Sequence, residues 1–268
     1  MPNNQITSLH SPHVERVKAL LGSRGKKIRA TEKEFIADGI QSVREVLAPS
    51  FDAAPTLIAL YVTEKGFEKL EQEIPSNIVA SAPIVHVSDE VMTAMADTES
   101  PQGILALCKF TEITLYKIKQ CQAKKIAYFW EIQDPGNSGT VIRTAEALGF
   151  DAVVFSTNSV DAYSPKTVRA TVGALWHIPV VQGVGLEELM EFAEGNEFFT
   201  IALAGDGSGS ILDLPKNDKS ILIFGNEARG LPEISGVKAR VAIPMTGRSE
   251  SLNVASAAAI AMFEVGIR

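Results

Sequence analysis

Along the chain, apolar residues fall into short continuous runs separated by longer stretches in which they recur every three or four positions. The first pattern predicts strands buried on both faces, and the second predicts amphipathic helices packed against them. In the N-terminal part, Ile40, Val43, Val46 and Leu47 share one helical face in DGIQSVREVLA, and TLIALYV, Thr56 to Val62, reads as a buried strand. A polar helix, a strand near Ile84 to Val87, a helix opened by Ser88 and Asp89, and the strand GILALCKF follow. This alternation predicts a small α/β unit over residues 34–110. The stretch TEITLYKIKQCQAKK has no strong period, so residues 111–124 read as a linker.

From Lys125 to Arg268 a second alternation begins. Its strands are expected at IAYFWEI, AVVF (Ala152 to Phe155), HIPVV, FFTIALA (Phe198 to Ala204), ILIF (Ile221 to Phe224) and RVAIP (Arg240 to Pro244). Strands of this kind, divided by helices, imply a mostly parallel sheet covered on both faces. Ser164 and Pro165 supply an N-cap and first helical residue, Gly149 and Gly173 suit helix C-termini, and LEELMEFAEG also closes on glycine. The last helix follows Ser249 or Ser251 as a possible cap, and its face of Ala255, Ala258, Ala259 and Met262 permits close approach of another backbone.

Composition changes this picture little, but charge changes it more. The 268 residues are 46% hydrophobic and 21% charged, which suits a packed protein with two domains. No apolar run approaches the roughly 18 residues of a membrane span, and the start of the chain lacks a signal-peptide pattern, so a cytoplasmic protein is expected. Cys108 and Cys121 lack a C-x-x-C partner and are expected as buried thiols. The four histidines are scattered apart from His10 and His13, and no metal is expected. The net charge of −7 argues against a nucleic-acid partner, but residues 1–33 carry seven cations against two acids. A basic arm on an acidic body is an electrostatic footprint for a polyanion, with Arg24, Lys26, Lys27 and Arg29 as its densest cluster. A solvated, charged helix end would read the same way.

Ligands of open α/β sheets lie beyond the carboxyl ends of the strands. Four glycine-rich or polar loops fall there: QDPGNSG, AGDGSGS, GNEARGLP and PMTGRSESLN. AGDGSGS lacks the third glycine of a dinucleotide fingerprint, having Ser210 in its place, and GNEARGLP is not followed by the G-K-[ST] of a phosphate loop. Their glycines suit close approach of backbone groups to a flat ligand, although each loop alone reads equally as an ordinary turn. In the helix after QDPGNSG, Val141, Ala145 and Leu148 form one stripe, and Arg143 points roughly 160° to 200° away from it. Arg143 is therefore free of the core, near a helix N-terminus whose free N–H groups favour a phosphate.

Three ordered motifs give this arrangement a precedent. N-x-G-x-x-x-R (Asn137, Gly139, Arg143), G-N-E-x-x-G-L (Gly225, Asn226, Glu227, Gly230, Leu231) and I-P-M-x-G-x-x-x-S-L-N-V (Ile243 to Val254) resemble the SpoU-TrmH branch of the SPOUT RNA methyltransferases. The resemblance covers residues 125–268, and the preceding segment resembles the family's ribosomal-protein L30e-like substrate-binding domain. It implies a parallel α/β fold with a deep trefoil knot, a homodimer, and S-adenosylmethionine as donor to a ribose 2′-hydroxyl of RNA. By the same resemblance, backbone groups of Ala204, Gly205, Gly225, Ile243 and Leu252 hold the cofactor and Arg143 is catalytic. Glu227 and Asn253 orient Arg143 and the ribose, and Asn137 supports the substrate loop. The two-domain layout resembles enzymes of ribosomal RNA more than those of transfer RNA; a transfer-RNA enzyme and a non-catalytic RNA-binding protein on the same scaffold are the alternatives.

Overall fold

The computed structural model describes residues 5–248 and 251–267. The chain begins with α1 (Pro12–Leu21), α2 (Gly25–Glu32), β1 (Glu34–Asp38), α3 (Ile40–Val46), β2 (Thr56–Val62), α4 (Glu64–Glu73), α5 (Ser76–Ser81), β3 (Ile84–His86), α6 (Asp89–Met95) and β4 (Ile104–Lys109). It continues through α7 (Leu115–Gln120), β5 (Lys125–Phe129), α8 (Pro135–Ala147), β6 (Ala152–Ser156), α9 (Pro165–Thr171), β7 (Val180–Val184) and α10 (Leu186–Glu194). It ends with β8 (Phe199–Leu203), β9 (Gly209–Ser210), β10 (Ser220–Phe224), β11 (Ala239–Ala242) and α11 (Val254–Ile267). These elements form two compact units. One comprises the chain up to Glu112 together with Tyr163–His177, and the other comprises Ile113–Ala162 and the chain from Ile178 onward.

The first unit is a four-stranded sheet in the order β1-β4-β2-β3, with only the β2–β3 pair parallel. β1 is a strand that the alternation does not single out, because EFIAD mixes two carboxylates with its apolar residues. The expected basic arm is corrected here: residues 12–32 form two helices of this unit. Ser11 caps α1 by accepting from the Val14 N–H, and Val14, Val17 and Leu20 are buried in the same core as Tyr61, Met92 and Leu107. Apolar residues three apart made this segment a packed helix, and its cations merely occupy the other face. One cation is turned inward: Arg29 is buried and donates to the Leu20 carbonyl.

The segment Tyr163–His177 completes this core from a distance in sequence. Tyr163 stacks on Phe110 at 4.0 Å between ring centroids, and the buried Trp176 donates its indole N–H to the Pro55 carbonyl at 3.0 Å. Ser164 caps α9 and Pro165 opens it, as the sequence predicts.

The second unit is built on a seven-stranded sheet in the order β7-β6-β5-β10-β8-β11-β9, and every strand pair in it is parallel. The central strands are mostly apolar, as burial on both faces requires; Phe129 of β5 and Phe224 of β10 stack at 4.8 Å. The expected linker is also corrected, since Leu115 and Ile118 of α7 are buried in this unit. Cys108 is buried, as expected, but Cys121 ends this short helix and is exposed. α11 packs along α8, with Ala258 and Met262 buried. Its cap is Asn253 rather than Ser251: the Asn253 Oδ1 accepts from the N–H groups of Ala255 (2.8 Å) and Ser256 (3.3 Å). The other proposed cap, Ser249, lies outside the described residues.

Candidate active site

The site begins where β5, β10, β8 and β11 end. After β5 the chain turns into α8, whose N-cap Asp134 accepts from the Asn137 N–H at 2.8 Å. This fixes Asn137 in the first turn. Its side-chain amide donates to Glu227 at 3.3 Å, and its oxygen accepts from the Asn253 amide at 3.1 Å. Glu227 also faces the backbone N–H groups of Gln133 and Asp134, each at 3.4 Å. One residue from each of the three sequence motifs therefore joins a single hydrogen-bonded chain, Glu227–Asn137–Asn253.

The loop after β10 is held by its own backbone. Asn226 exchanges two backbone hydrogen bonds with Gly230, whose φ of +65° lies in the left-handed region. The Asn226 side chain accepts from the N–H groups of Ala228 and Arg229 and donates to the Glu131 carbonyl at 2.8 Å. Gly225 lies so close to the far side of this same loop that a Cβ there would lie 2.4 Å from the Gly230 carbonyl carbon and 2.6 Å from the Leu231 nitrogen.

These loops enclose a cleft of about 450 Å³, within the range of small-molecule sites. Ala204, Gly205, Gly225, Ile243 and Leu252, which the sequence places on separate loops, all line it. Its floor and walls include Leu203, Phe224 and Leu231, and two arginines stand in the lining. Each is matched by a carboxylate: Arg240 binds Asp206 in a bidentate pair at 2.8 and 3.1 Å, and Arg229 pairs with Glu131. A second depression lined by Asn137, Glu227 and Asn253 adjoins the cleft, sharing Glu227 and Leu252 with it. On β5, burial pushes the Tyr128 phenol well above its usual range, and it donates to the Val184 carbonyl at 3.2 Å.

Arg143 does not join this cleft within one chain. It is exposed on α8, as its angular position predicts, and makes no hydrogen bond or ion pair among the described residues. It shares a stripe with Thr140, Thr144 and Ala147, bordering a separate apolar groove with Ile260 and Phe263 of α11 and with Leu212. Helix geometry explains the separation: six residues place Arg143 about 9 Å along the axis from Asn137 and about 120° around it. Arg24, Lys26 and Lys27 are exposed on the first unit, whereas Arg29 is buried and is withdrawn as a phosphate contact.

Sequence reasoning passed over Trp130, Glu131, Arg229 and the Asp206–Arg240 pair. Asp206 lies in a loop already singled out, and Arg229 occupies an unspecified position of its motif. Glu131 carried no signal, because its left-handed φ of +49° is visible only in the fold. Among the described residues, no group of three or more histidine, cysteine or acidic side chains is placed to hold a metal, and no helix is long and apolar enough to cross a membrane.

Known proteins resemble this chain in sequence and fold. The sequence profile of the MRM3-like substrate binding domain matches residues 14–106, and that of the SpoU rRNA Methylase family matches residues 124–263, just over half of the chain. A 23S rRNA (guanosine(2553)-2′-O)-methyltransferase of Bacillus subtilis is 32% identical over 97% of this chain and 99% of its own. A 23S rRNA (uridine(2479)-2′-O)-methyltransferase of Streptomyces viridochromogenes is 27% identical over 97% and 91%. The crystal structure of an AdoMet-bound rRNA methyltransferase from Sinorhizobium meliloti superimposes with a TM-score of 0.83 at 27% identity, covering 98% of this chain and 97% of that one. By its motifs, its seven-stranded parallel sheet and its match over both units, the chain belongs to the SpoU rRNA Methylase family.

Proposed function

We propose that this protein transfers a methyl group from S-adenosylmethionine to a ribose 2′-hydroxyl of ribosomal RNA, acting in the cytoplasm as a homodimer. The observation that carries this reading is the convergence of Ala204, Gly205, Gly225, Ile243 and Leu252 on one cleft, with the Glu227–Asn137–Asn253 chain at its edge. The residues present fit the cofactor. Apolar walls suit a flat base, and carboxylates neutralise both arginines in the lining, so no uncompensated cation opposes a sulfonium. When bound, the cofactor supplies the electrophilic methyl group. The protein has to align the ribose and help remove its proton.

In this reading Asn137 and Asn253 orient the ribose, and Glu227 fixes both through the amide chain. Arg143 stays protonated and cannot serve as the base. It pins the neighbouring phosphate and stabilises negative charge as the hydroxyl proton passes to a neighbouring group or to water. Because Arg143 lies outside its own chain's cleft, it serves the cleft of the second copy. Docking of that copy against the apolar groove beside Arg143 is supported by Ile260, Phe263 and Leu212, which are 44%, 57% and 50% exposed. The close passage of Gly207 against the Val241 and Ala242 backbone, and the cleft shared by the loop after β10 and the chain after β11, support a trefoil knot in this unit.

Residues 125–268 carry the chemistry, and the unit containing residues 34–110 holds the RNA with α1 and α2. The two relatives named for 23S sites act on a guanosine and a uridine, which supports ribosomal RNA as the substrate and leaves the base to be chosen by RNA shape. Mapping 2′-O-methyl positions in total RNA from cells with and without this protein should reveal one ribosomal nucleotide whose methylation disappears. An unchanged ribosomal map, or a loss confined to transfer RNA, rejects the assignment. Removing residues 1–33 would strip Val14, Val17 and Leu20 from the core and so unfold the unit rather than probe its charge. Replacing Arg24, Lys26 and Lys27 with alanine should instead weaken RNA binding and reduce the slope of log K against log salt by about two to three, as expected when that many phosphate contacts are lost. An unchanged slope removes these cations from the RNA surface.

A further inference from the structure

We propose that Arg229, displayed by Trp130 and Glu131 at the mouth of the cleft, is an RNA-phosphate contact of this enzyme; the inference rests on the functional reading above and deepens it. The Arg229 guanidinium lies 5.5 Å from the centroid of the Trp130 ring and pairs with the Glu131 carboxylate, and the side chain is 63% exposed. It lines the same cleft as Gly225 and Leu252 while most of its side chain remains open to solvent.

The support beneath Arg229 is more elaborate than a surface ion pair requires. An exposed pair contributes only about 0–1 kcal/mol. Yet Glu131 is held in the left-handed region, φ +49°, where a side chain with a Cβ is disfavoured. Four hydrogen bonds keep it there. Its N–H donates to the Ser156 hydroxyl at 2.7 Å, its carbonyl accepts from Asn226 at 2.8 Å and from Gln133 at 3.1 Å, and its carboxylate accepts from Asn158 at 3.5 Å. Asn158 is itself at φ +65°. Strain of this kind persists where the surroundings fix a side chain for a task. Here the result is a guanidinium with one face on an aromatic ring and one N–H group on a carboxylate. Its remaining N–H groups are open to an oxyanion. A planar fork beside an indole matches a phosphate and an adjoining unstacked base of single-stranded RNA. The Glu131 partner keeps the cleft free of uncompensated positive charge until a phosphate arrives.

The test compares the wild type, Arg229→Ala and Arg229→Lys, using an unmodified large-subunit ribosomal RNA transcript and S-adenosylmethionine as separate ligands. Arg229→Ala should weaken RNA binding about tenfold and lower its salt slope by about one, leaving cofactor affinity unchanged. Arg229→Lys, which keeps the charge, should retain the slope. A staple holding two loops together would give the opposite pattern: cofactor affinity would fall in Arg229→Ala while the RNA salt slope stayed at its wild-type value, and that result overturns the proposal. So would a contact with the cofactor's own carboxylate, which again shows as lost cofactor affinity. Wild-type protein that binds RNA with the expected slope but never binds S-adenosylmethionine would refute the methyltransferase reading instead.

Discussion

Replacing Arg143 with lysine is expected to slow methyl transfer by roughly 10²- to 10³-fold, the usual effect of losing one preorganised charge-stabilising donor. Cofactor affinity should stay within about twofold of wild type, because an interaction made only in the transition state lowers the rate without weakening ground-state binding. Lysine keeps the charge and approximate length, so the loss would isolate the planar fork that grips phosphate and alkoxide oxygens together. Arg143 makes no hydrogen bond or ion pair among the described residues, and it is not part of the core, so no folding penalty complicates the result. Single-turnover kinetics with saturating RNA would measure the rate, and calorimetry would measure the cofactor. Turnover near the wild-type value would remove Arg143 from the catalytic list and, with it, the proposed purpose of pairing two chains.

A comparable loss, with a different signature, is expected for Gly225→Ala. The new methyl group would lie 2.4 Å from the Gly230 carbonyl carbon and 2.7 Å from its oxygen, and all the close atoms are backbone. The loop after β10 must open, at a cost of about 1–3 kcal/mol for overpacking. Since that loop is a cleft wall, cofactor binding should weaken about ten- to a hundredfold. Gly185→Ala is the matched control, because a Cβ there meets nothing within 4 Å. Cofactor affinity equal to wild type in Gly225→Ala would show that this loop is not part of the binding wall. The two variants also test each other. If Arg143 acts on the second copy's cleft, mixing Arg143→Lys with Gly225→Ala subunits rebuilds one sound site per mixed dimer. Random pairing should then recover roughly a quarter of wild-type activity. No recovery from mixtures shown to exchange subunits would place Arg143 with its own chain's cleft.

What the sequence made legible follows from the range over which each signal acts. The sheet of the second unit was readable because a strand buried on both faces must be apolar throughout, as Ala152–Ser156 and Ser220–Phe224 are nearly so. Caps at Ser88 and Ser164 were readable because a hydroxyl satisfies an N–H three residues away. The cleft residues were readable through ordered motifs whose glycines mark close backbone approach. Charge was the poorest guide: seven cations suggested a free arm, while the spacing of Val14, Val17 and Leu20 specified a packed helix. The Asn253 cap was obscured by two nearby serines that suit the same task. Glu131 was hidden for a stricter reason, since its conformation is imposed by partners at residues 156 and 226.

The aromatic segment Tyr163–His177 bears on how such a protein can be divided or recombined. A gene fragment beginning at residue 125 would carry Trp176 and Tyr163 away from Pro55 and Phe110, leaving their partners' core unfilled. The two units are therefore not interchangeable cassettes joined at one seam. Any exchange of the first unit has to carry this fifteen-residue strip along with it.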